Sequence, residues 1–246
     1  MSAWYEHKAT VDSRDVDGFG RCRPSALLGH LQQAATLAAQ AGGFGRGDFM
    51  DRYGAVWMLA RMWYQLDRPL TYEQELSIHT WHRGGKGASM YRDFDLYANA
   101  SPIGQAVSVW TLVRLADRHM LRLSDVPELG ENQGGARSKD ILLTKIRMPE
   151  DLQPVEQRLM HYSDTDINAH VNNNRYADFA CDAIRAHERA GEYVREMQLG
   201  YSAECRPGEC IRILAAERGR EHFVRGVDEN GKTRFDVAMK LGQDIS

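Results

Sequence analysis

The most polar and least repetitive stretch of the chain is His161-Tyr162-Ser163-Asp164-Thr165-Asp166-Ile167-Asn168-Ala169-His170-Val171-Asn172-Asn173-Asn174. Asp166, Asn168 and His170 alternate, so in an extended segment their side chains share one face. A helical pattern follows at once, and a helix N-terminus offers free N–H groups and a positive dipole end to developing negative charge. A carboxylate, an imidazole and an amide donor are the parts that acyl transfer to water requires. Calcium binding is a rival, since Asp164, Asp166 and Asn168 fall at EF-hand positions one, three and five. Ala169 replaces the required glycine and Arg175 the bidentate glutamate, which argues against it. A polar turn with an Asn cap explains the composition as well as a site does. Spacing alone leaves those two open. His161 and His187 read as surface or internally satisfied histidines.

The elements that must position this stretch come in two similar sets. Residues 25–41 carry Leu27, Leu28, Leu31, Ala34, Ala35 and Ala38 at helical spacing, entered by Pro24 and left by Gly42-Gly43. Residues 172–190 carry Tyr176, Phe179, Ala180, Ala183 and Ile184 as one stripe, stopped by Gly191. Each follows a short extended segment and precedes four strands. These are predicted at 55–66, 73–83, 89–98 and 104–115, then at 195–205, 209–216, 221–227 and 233–241. Gly84-Gly85-Lys86-Gly87 and Asp228-Glu229-Asn230-Gly231 read as hairpin turns. The first lacks the spacing and the following helix of a phosphate loop. Residues 124–154, including Glu131-Asn132-Gln133-Gly134-Gly135, have a linker composition.

Strand, helix and four antiparallel strands, stated twice, predict an α+β fold of two tandem hotdog domains, each a long helix wrapped by an antiparallel sheet. The division is 1–125, a linker at 126–153, and 154–246. Asp15-Val16-Asp17-Gly18-Phe19 aligns with Asp166-Ile167-Asn168-Ala169-His170, which leaves the first copy without the His and assigns the chemistry to the second.

Composition sets bounds. The chain has 246 residues and a net charge of −3, without the basic excess of a general nucleic-acid binder. No apolar run approaches the roughly 20 residues of a membrane helix, and no secretory signal is visible at the N-terminus. A cytosolic protein is expected. Cys22, Cys181, Cys205 and Cys210 form no CxxC pair, so reduced thiols and no metal are expected. No cofactor is called for. Asn99-Ala100-Ser101 is a chance match to a glycosylation acceptor.

Asp166-Ile167-Asn168-Ala169-His170-Val171-Asn172-Asn173 closely resembles the catalytic signature of plant and bacterial acyl-ACP thioesterases. Glu204, followed by Cys205, stands at that family's spacing after the motif's His. Val56-Trp57-Met58-Leu59-Ala60-Arg61-Met62, Trp81, Arg92-Asp93-Phe94 and Arg122-Leu123-Ser124-Asp125 extend the likeness over nearly the whole chain. The resemblance implies hydrolysis of fatty acyl-acyl carrier protein by a bacterial cytosolic form. Glu204, oriented with Asp166 and His170, would activate a water. Asn168 and the N–H groups near Val171 and Asn172 would hold the carbonyl oxygen. Cys205 is the second choice as nucleophile, because neighbours on a strand face opposite ways. Trp57, Met58, Met62 and Trp110 are the candidate walls of an acyl tunnel, and arginines at its mouth would meet the acidic carrier. An acyl-CoA thioesterase and a non-catalytic acyl-binding module are the alternatives, and a homodimer is possible.

Overall fold

A computed structural model describes residues 4–131 and 141–244. Residues 132–140 of the expected linker, with Gly134-Gly135, therefore lie outside the described residues. The element order is β1 (Tyr5–Thr10), α1 (Pro24–Ala41), α2 (Arg46–Tyr53), β2 (Ala55–Leu66), β3 (Glu75–Lys86), β4 (Ser89–Ala98), β5 (Ser101–Arg114), β6 (Met120–Leu121), α3 (Pro127–Glu131), β7 (Gln153–Leu159), α4 (Arg175–Ala183), β8 (Glu192–Tyr201), β9 (Cys210–Arg218), β10 (Glu221–Val227) and β11 (Thr233–Gln243). Antiparallel sheet with few helices is the α+β class expected. Contacts divide the chain into two compact units: Met1–Thr10, His30–Tyr64 and Gln74–Leu143, then Val11–Gly29, Gln65–Glu73 and Thr144–Ser246.

In the first unit the strands run in the order β1-β3-β4-β5, with β2 next to β5 and β6 pairing with β5. The β3–β4 hairpin forms where the glycines predict it, with its turn at Gly87 (φ 62°). Gly85 is obligatory, because a Cβ there would sit 2.5 Å from the Ser89 carbonyl oxygen. Phe49, Ala55, Met90, Leu112, Leu121, Val126 and Leu129 make one core cluster, and Trp63, Val107, Val109 and Leu143 another. Helix α2 was not anticipated. Only Phe49 is buried along it, so it has no apolar stripe to read. Local devices form it instead: Asp48 accepts the Gly45 N–H at 2.8 Å, and Gly54 closes it in the left-handed conformation.

In the second unit the order is β8-β11-β10-β9-β7, all antiparallel. Helix α4 packs on β9 and β11. Its Tyr176 ring stacks on Phe235 of β11 at 4.5 Å, and Phe179 lies 6.4 Å from the same ring. Burying each such aromatic side chain is worth roughly 2–3 kcal/mol. Gly226 leaves room for the Phe235 ring, which a Cβ would meet at 2.2 Å. Asp228 Oδ1 accepts the Asn230 and Lys232 N–H groups and closes the predicted β10–β11 hairpin.

Two expectations need correction. The second helix is not long: it occupies nine residues, and Arg185 in the left-handed region (φ 56°) breaks it before a short 3-10 turn. Strand β8 ends at Tyr201, so Glu204 and Cys205 lie in the irregular connection to β9 rather than on a strand.

Candidate active site

The polar motif is a closed turn. Thr165 bridges to Val171, the Ala169 N–H donates to the Asp166 carbonyl at 3.0 Å, and the Asp166 N–H donates to the His170 carbonyl at 3.0 Å. Ala169 sits at φ 60°. A turn followed by a left-handed residue is the geometry of a three-residue hairpin loop. Asp166 and His170 therefore converge because the turn folds back, not because an extended segment alternates. Asp166 Oδ1 accepts the Asn168 N–H at 2.8 Å and stands 3.8 Å from His170 Nδ1. Nδ1 also faces the Val171 carbonyl at 3.2 Å. A carbonyl can only accept, so this contact favours a proton on Nδ1, and in the neutral imidazole Nε2 is then the acceptor.

Support comes from below the turn. Asp164 is buried; its Oδ2 accepts the His161 N–H at 2.9 Å and its Oδ1 takes Arg175 at 3.2 Å. Arg175 also holds Asp178 at 2.8 Å, tying the turn to the first turn of α4. Asn172 closes the step into the helix by accepting the Asn174 N–H at 2.9 Å.

His170 Nε2 faces Glu204 Oε1 at 3.9 Å. The Glu204 side chain is 45% exposed, whereas Cys205 is fully buried. The two neighbours point opposite ways, as expected, although no strand is present. Burial pushes the Cys205 thiol up, with the Tyr176 hydroxyl and Arg234 opposing that shift. The N–H groups proposed for the carbonyl oxygen are committed elsewhere. Val171 donates to the Cys205 carbonyl at 2.8 Å, and Asn172 to the Asp164 carbonyl at 2.8 Å. That expectation is corrected. Asn168, exposed at the tip of the turn, is the remaining donor named for that role.

A sister turn shows how the first copy differs. The Asp17 N–H donates to the Arg21 carbonyl at 2.8 Å, the Gly20 N–H to the Asp17 carbonyl at 3.0 Å, and the Phe19 N–H to Asp17 Oδ1 at 2.9 Å. Each bond has its counterpart in the second turn, so Asp17 matches Asp166 and Arg21 matches His170. The register inferred from sequence, with Phe19 against His170, is off by two residues. Cys22 donates to the Leu70 carbonyl at 2.7 Å as Val171 does to that of Cys205. Pro69 thus stands in the place of Glu204. Arg21 closes the sister turn with ion pairs to Asp17 (2.9 Å), a bond to the Arg189 carbonyl (3.2 Å), and a stack on the Phe19 ring.

Trp57 and Trp110 meet edge to face at 6.5 Å, and Trp57 also meets Phe49. Met62 is fully buried and Met58 is 40% exposed. Sequence reasoning missed Asp164, Arg175, Tyr176 and Arg234 as parts of the site's frame. Tyr176 looked like helix core, and nothing in the sequence marks a lone arginine at the start of a strand. Among the described residues no cluster of His, Cys, Asp and Glu has the geometry of a metal site. No helix among them is long and apolar enough to cross a membrane.

Residues 2–128 match the family model of the acyl-ACP thioesterase N-terminal domain, and residues 151–246 that of the C-terminal domain. The palmitoyl-acyl carrier protein thioesterase of Arabidopsis thaliana is 25% identical over 87% of this chain and 55% of its own length. The oleoyl-acyl carrier protein thioesterase of Coriandrum sativum is 24% identical over 86% and 62%. The chain thus spans a little over half the length of these plant relatives. An acyl-ACP thioesterase from Bacteroides thetaiotaomicron superposes with a TM-score of 0.88 at 22% identity, covering 98% of both chains. The 12:0-ACP thioesterase of Umbellularia californica gives 0.84 at 18%, covering 99% and 98%. Both share the fold.

Proposed function

The chain belongs to the acyl-ACP thioesterase family, and from that premise we propose that it hydrolyses fatty acyl-acyl carrier protein to free fatty acid and carrier protein. The observation that carries this reading is the convergence of His170 Nε2 and Glu204 Oε1, 3.9 Å apart at an accessible edge. Both are acceptors when Nδ1 holds the proton. One water can donate to both at about 2.8 Å, with the two acceptors subtending roughly 90° at its oxygen. Its lone pairs then face outward, toward a thioester carbonyl.

Glu204 takes a proton as the water oxygen bonds to the carbonyl carbon. The Asn168 amide supports the oxygen as it gains charge. Collapse breaks the carbon–sulfur bond, and the departing thiolate takes the proton back, leaving a carboxylic acid and the carrier's thiol. Asp166 orients the imidazole. Cys205 has no part in this scheme, because a sealed thiol with a raised pKa is a poor nucleophile.

The division at 1–125, 126–153 and 154–246 belongs to the same proposal, supported by separate family models for the two halves. The first half would contribute Trp57, Met58, Met62 and Trp110 to acyl-chain contact. Four free cysteines fit a reducing, cytosolic setting. A homodimer, if it forms, is read directly by sedimentation.

Incubation with a ladder of acyl carrier proteins, and with the same acyl groups on coenzyme A, tests the reading. Release of free acids from the carrier-bound series supports it. Turnover confined to coenzyme A esters, or binding without release, would refute it.

A further inference from the structure

Glu204 has no strand to hold it, since β8 stops at Tyr201 and β9 starts at Cys210. One residue of β11 does that work. The Arg234 carbonyl accepts both the Ser202 and Ala203 N–H groups, at 2.9 and 3.1 Å, and the Arg234 guanidinium donates to the carbonyl of Glu204 itself. Three consecutive residues are thus gripped by one. The far side is held as well. The Cys205 carbonyl accepts the Val171 N–H at 2.8 Å.

We infer that Arg234 is a positioning residue for the general base: with the Val171–Cys205 bond on the far side, it clamps the peptide joining Glu204 to Cys205 and so aims the Glu204 carboxylate at His170. This rests on the reading of Glu204 given above. The orientation of that peptide fixes the backbone torsion next to the Glu204 Cα, and through it the direction of the side chain. The guanidinium is itself immobilised. Its side chain is 17% exposed and bridges Glu209 at 3.4 Å and Asp228 at 3.3 Å. Asp228 is in turn fixed by its own hairpin. Phe235, the next residue, lies flat on Tyr176 of α4, which anchors this end of β11. A partly exposed glutamate acquires in this way the rigidity that a regular strand would have given it.

The test compares wild type, Glu204→Gln, Arg234→Ala, Arg234→Lys and the double variant Glu204→Gln/Arg234→Ala in steady-state hydrolysis of an acyl carrier protein substrate. A displaced base costs turnover rather than binding, so Arg234→Ala is expected to lower kcat about tenfold to a hundredfold with KM within about threefold of wild type. Added guanidinium at non-denaturing concentration should restore part of that loss. In the Glu204→Gln background the Arg234 substitution should change little further, since two residues acting as one unit are not additive. Arg234→Lys keeps the charge beside Glu209 and Asp228 but lacks the guanidinium fork. It should show the same kcat loss if the alanine variant fails to fold. An unchanged kcat, a loss confined to KM, or an equal loss in the Glu204→Gln background would overturn the inference. Full activity of Glu204→Gln would instead sink the reading on which it rests.

Discussion

The Val171 N–H and the Cys205 carbonyl are joined by a 2.8 Å hydrogen bond that ties the turn bearing His170 to the connection bearing Glu204. The same bond recurs between Cys22 and Leu70 at 2.7 Å. The cross-link is therefore part of the duplicated frame rather than of the chemistry. What differs between the copies is the pair of residues it brings together: His170 with Glu204 in one, Arg21 with Pro69 in the other.

That comparison makes Arg21 structural. Arg21→Met leaves the Asp17 carboxylate and the Arg189 carbonyl without their cation, and breaking a largely buried pair of this kind costs on the order of 3 kcal/mol. The urea midpoint should fall while kcat per folded molecule stays within about twofold of wild type. A large kcat loss at unchanged stability would give Arg21 a direct part in turnover.

Ala169 holds a left-handed conformation (φ 60°) where the sister turn has Gly20 (φ 75°). An L-residue there carries roughly 1 kcal/mol of strain. Ala169→Gly should therefore leave stability equal or higher by thermal melting. Its looser turn should lower kcat severalfold, because Asp166 and His170 are joined through it. A variant that is both less stable and equally active would contradict this.

Much of the frame was legible because it is written in local patterns. The ends of β2, β4 and β10 match those read from alternation and glycines, and the polar motif drew attention to the candidate site. The rest depends on contacts distant in sequence. Nothing local says that Tyr201 ends β8, since Glu204 and Cys205 fit an alternating pattern that continues past it. The sister turn was misaligned because Asp15 and Asp17 are equivalent in a one-dimensional match. Only the hydrogen bonds distinguish them, with Asp17 receiving Phe19 and Arg21 where Asp15 faces Asp12. Arg234 was invisible because its role consists of bonds to Glu204, 30 positions away, and to the two residues before it.

His82 should make stability depend on acid. Its Nε2 is buried without a hydrogen bond among the described residues, and burial, helped by the Arg92 charge, pushes its pKa down to about 4. The unfolded chain protonates this histidine near its ordinary value of 6.5. Between those values the unfolded state binds more protons, so stability falls as pH drops from about 6.5 to about 4 and is flat in this contribution below that. The loss is at most about 3 kcal/mol. Denaturant midpoints at pH 7.5 and 5 should converge for His82→Phe relative to wild type. Equal pH dependence in both proteins would contradict the assignment.

The thiols provide a chemical check on Cys205. It is fully buried, and its ionisation is pushed up; that of Cys22 is pushed to about 12. Native protein treated with maleimide at pH 7.5 should leave both unmodified by mass spectrometry, and denatured protein should be labelled at all four cysteines. Rapid native labelling of Cys205 with loss of activity would contradict its place outside the chemistry.

In the proposed mechanism a carboxylate-activated water, and not the neighbouring thiol, attacks the thioester. Single-turnover hydrolysis of one acyl carrier protein substrate by Glu204→Gln and Cys205→Ala measures this directly. A fall of about 10²–10⁴-fold is expected for Glu204→Gln and a rate within about tenfold of wild type for Cys205→Ala. Near-complete loss in Cys205→Ala with full activity in Glu204→Gln would contradict it.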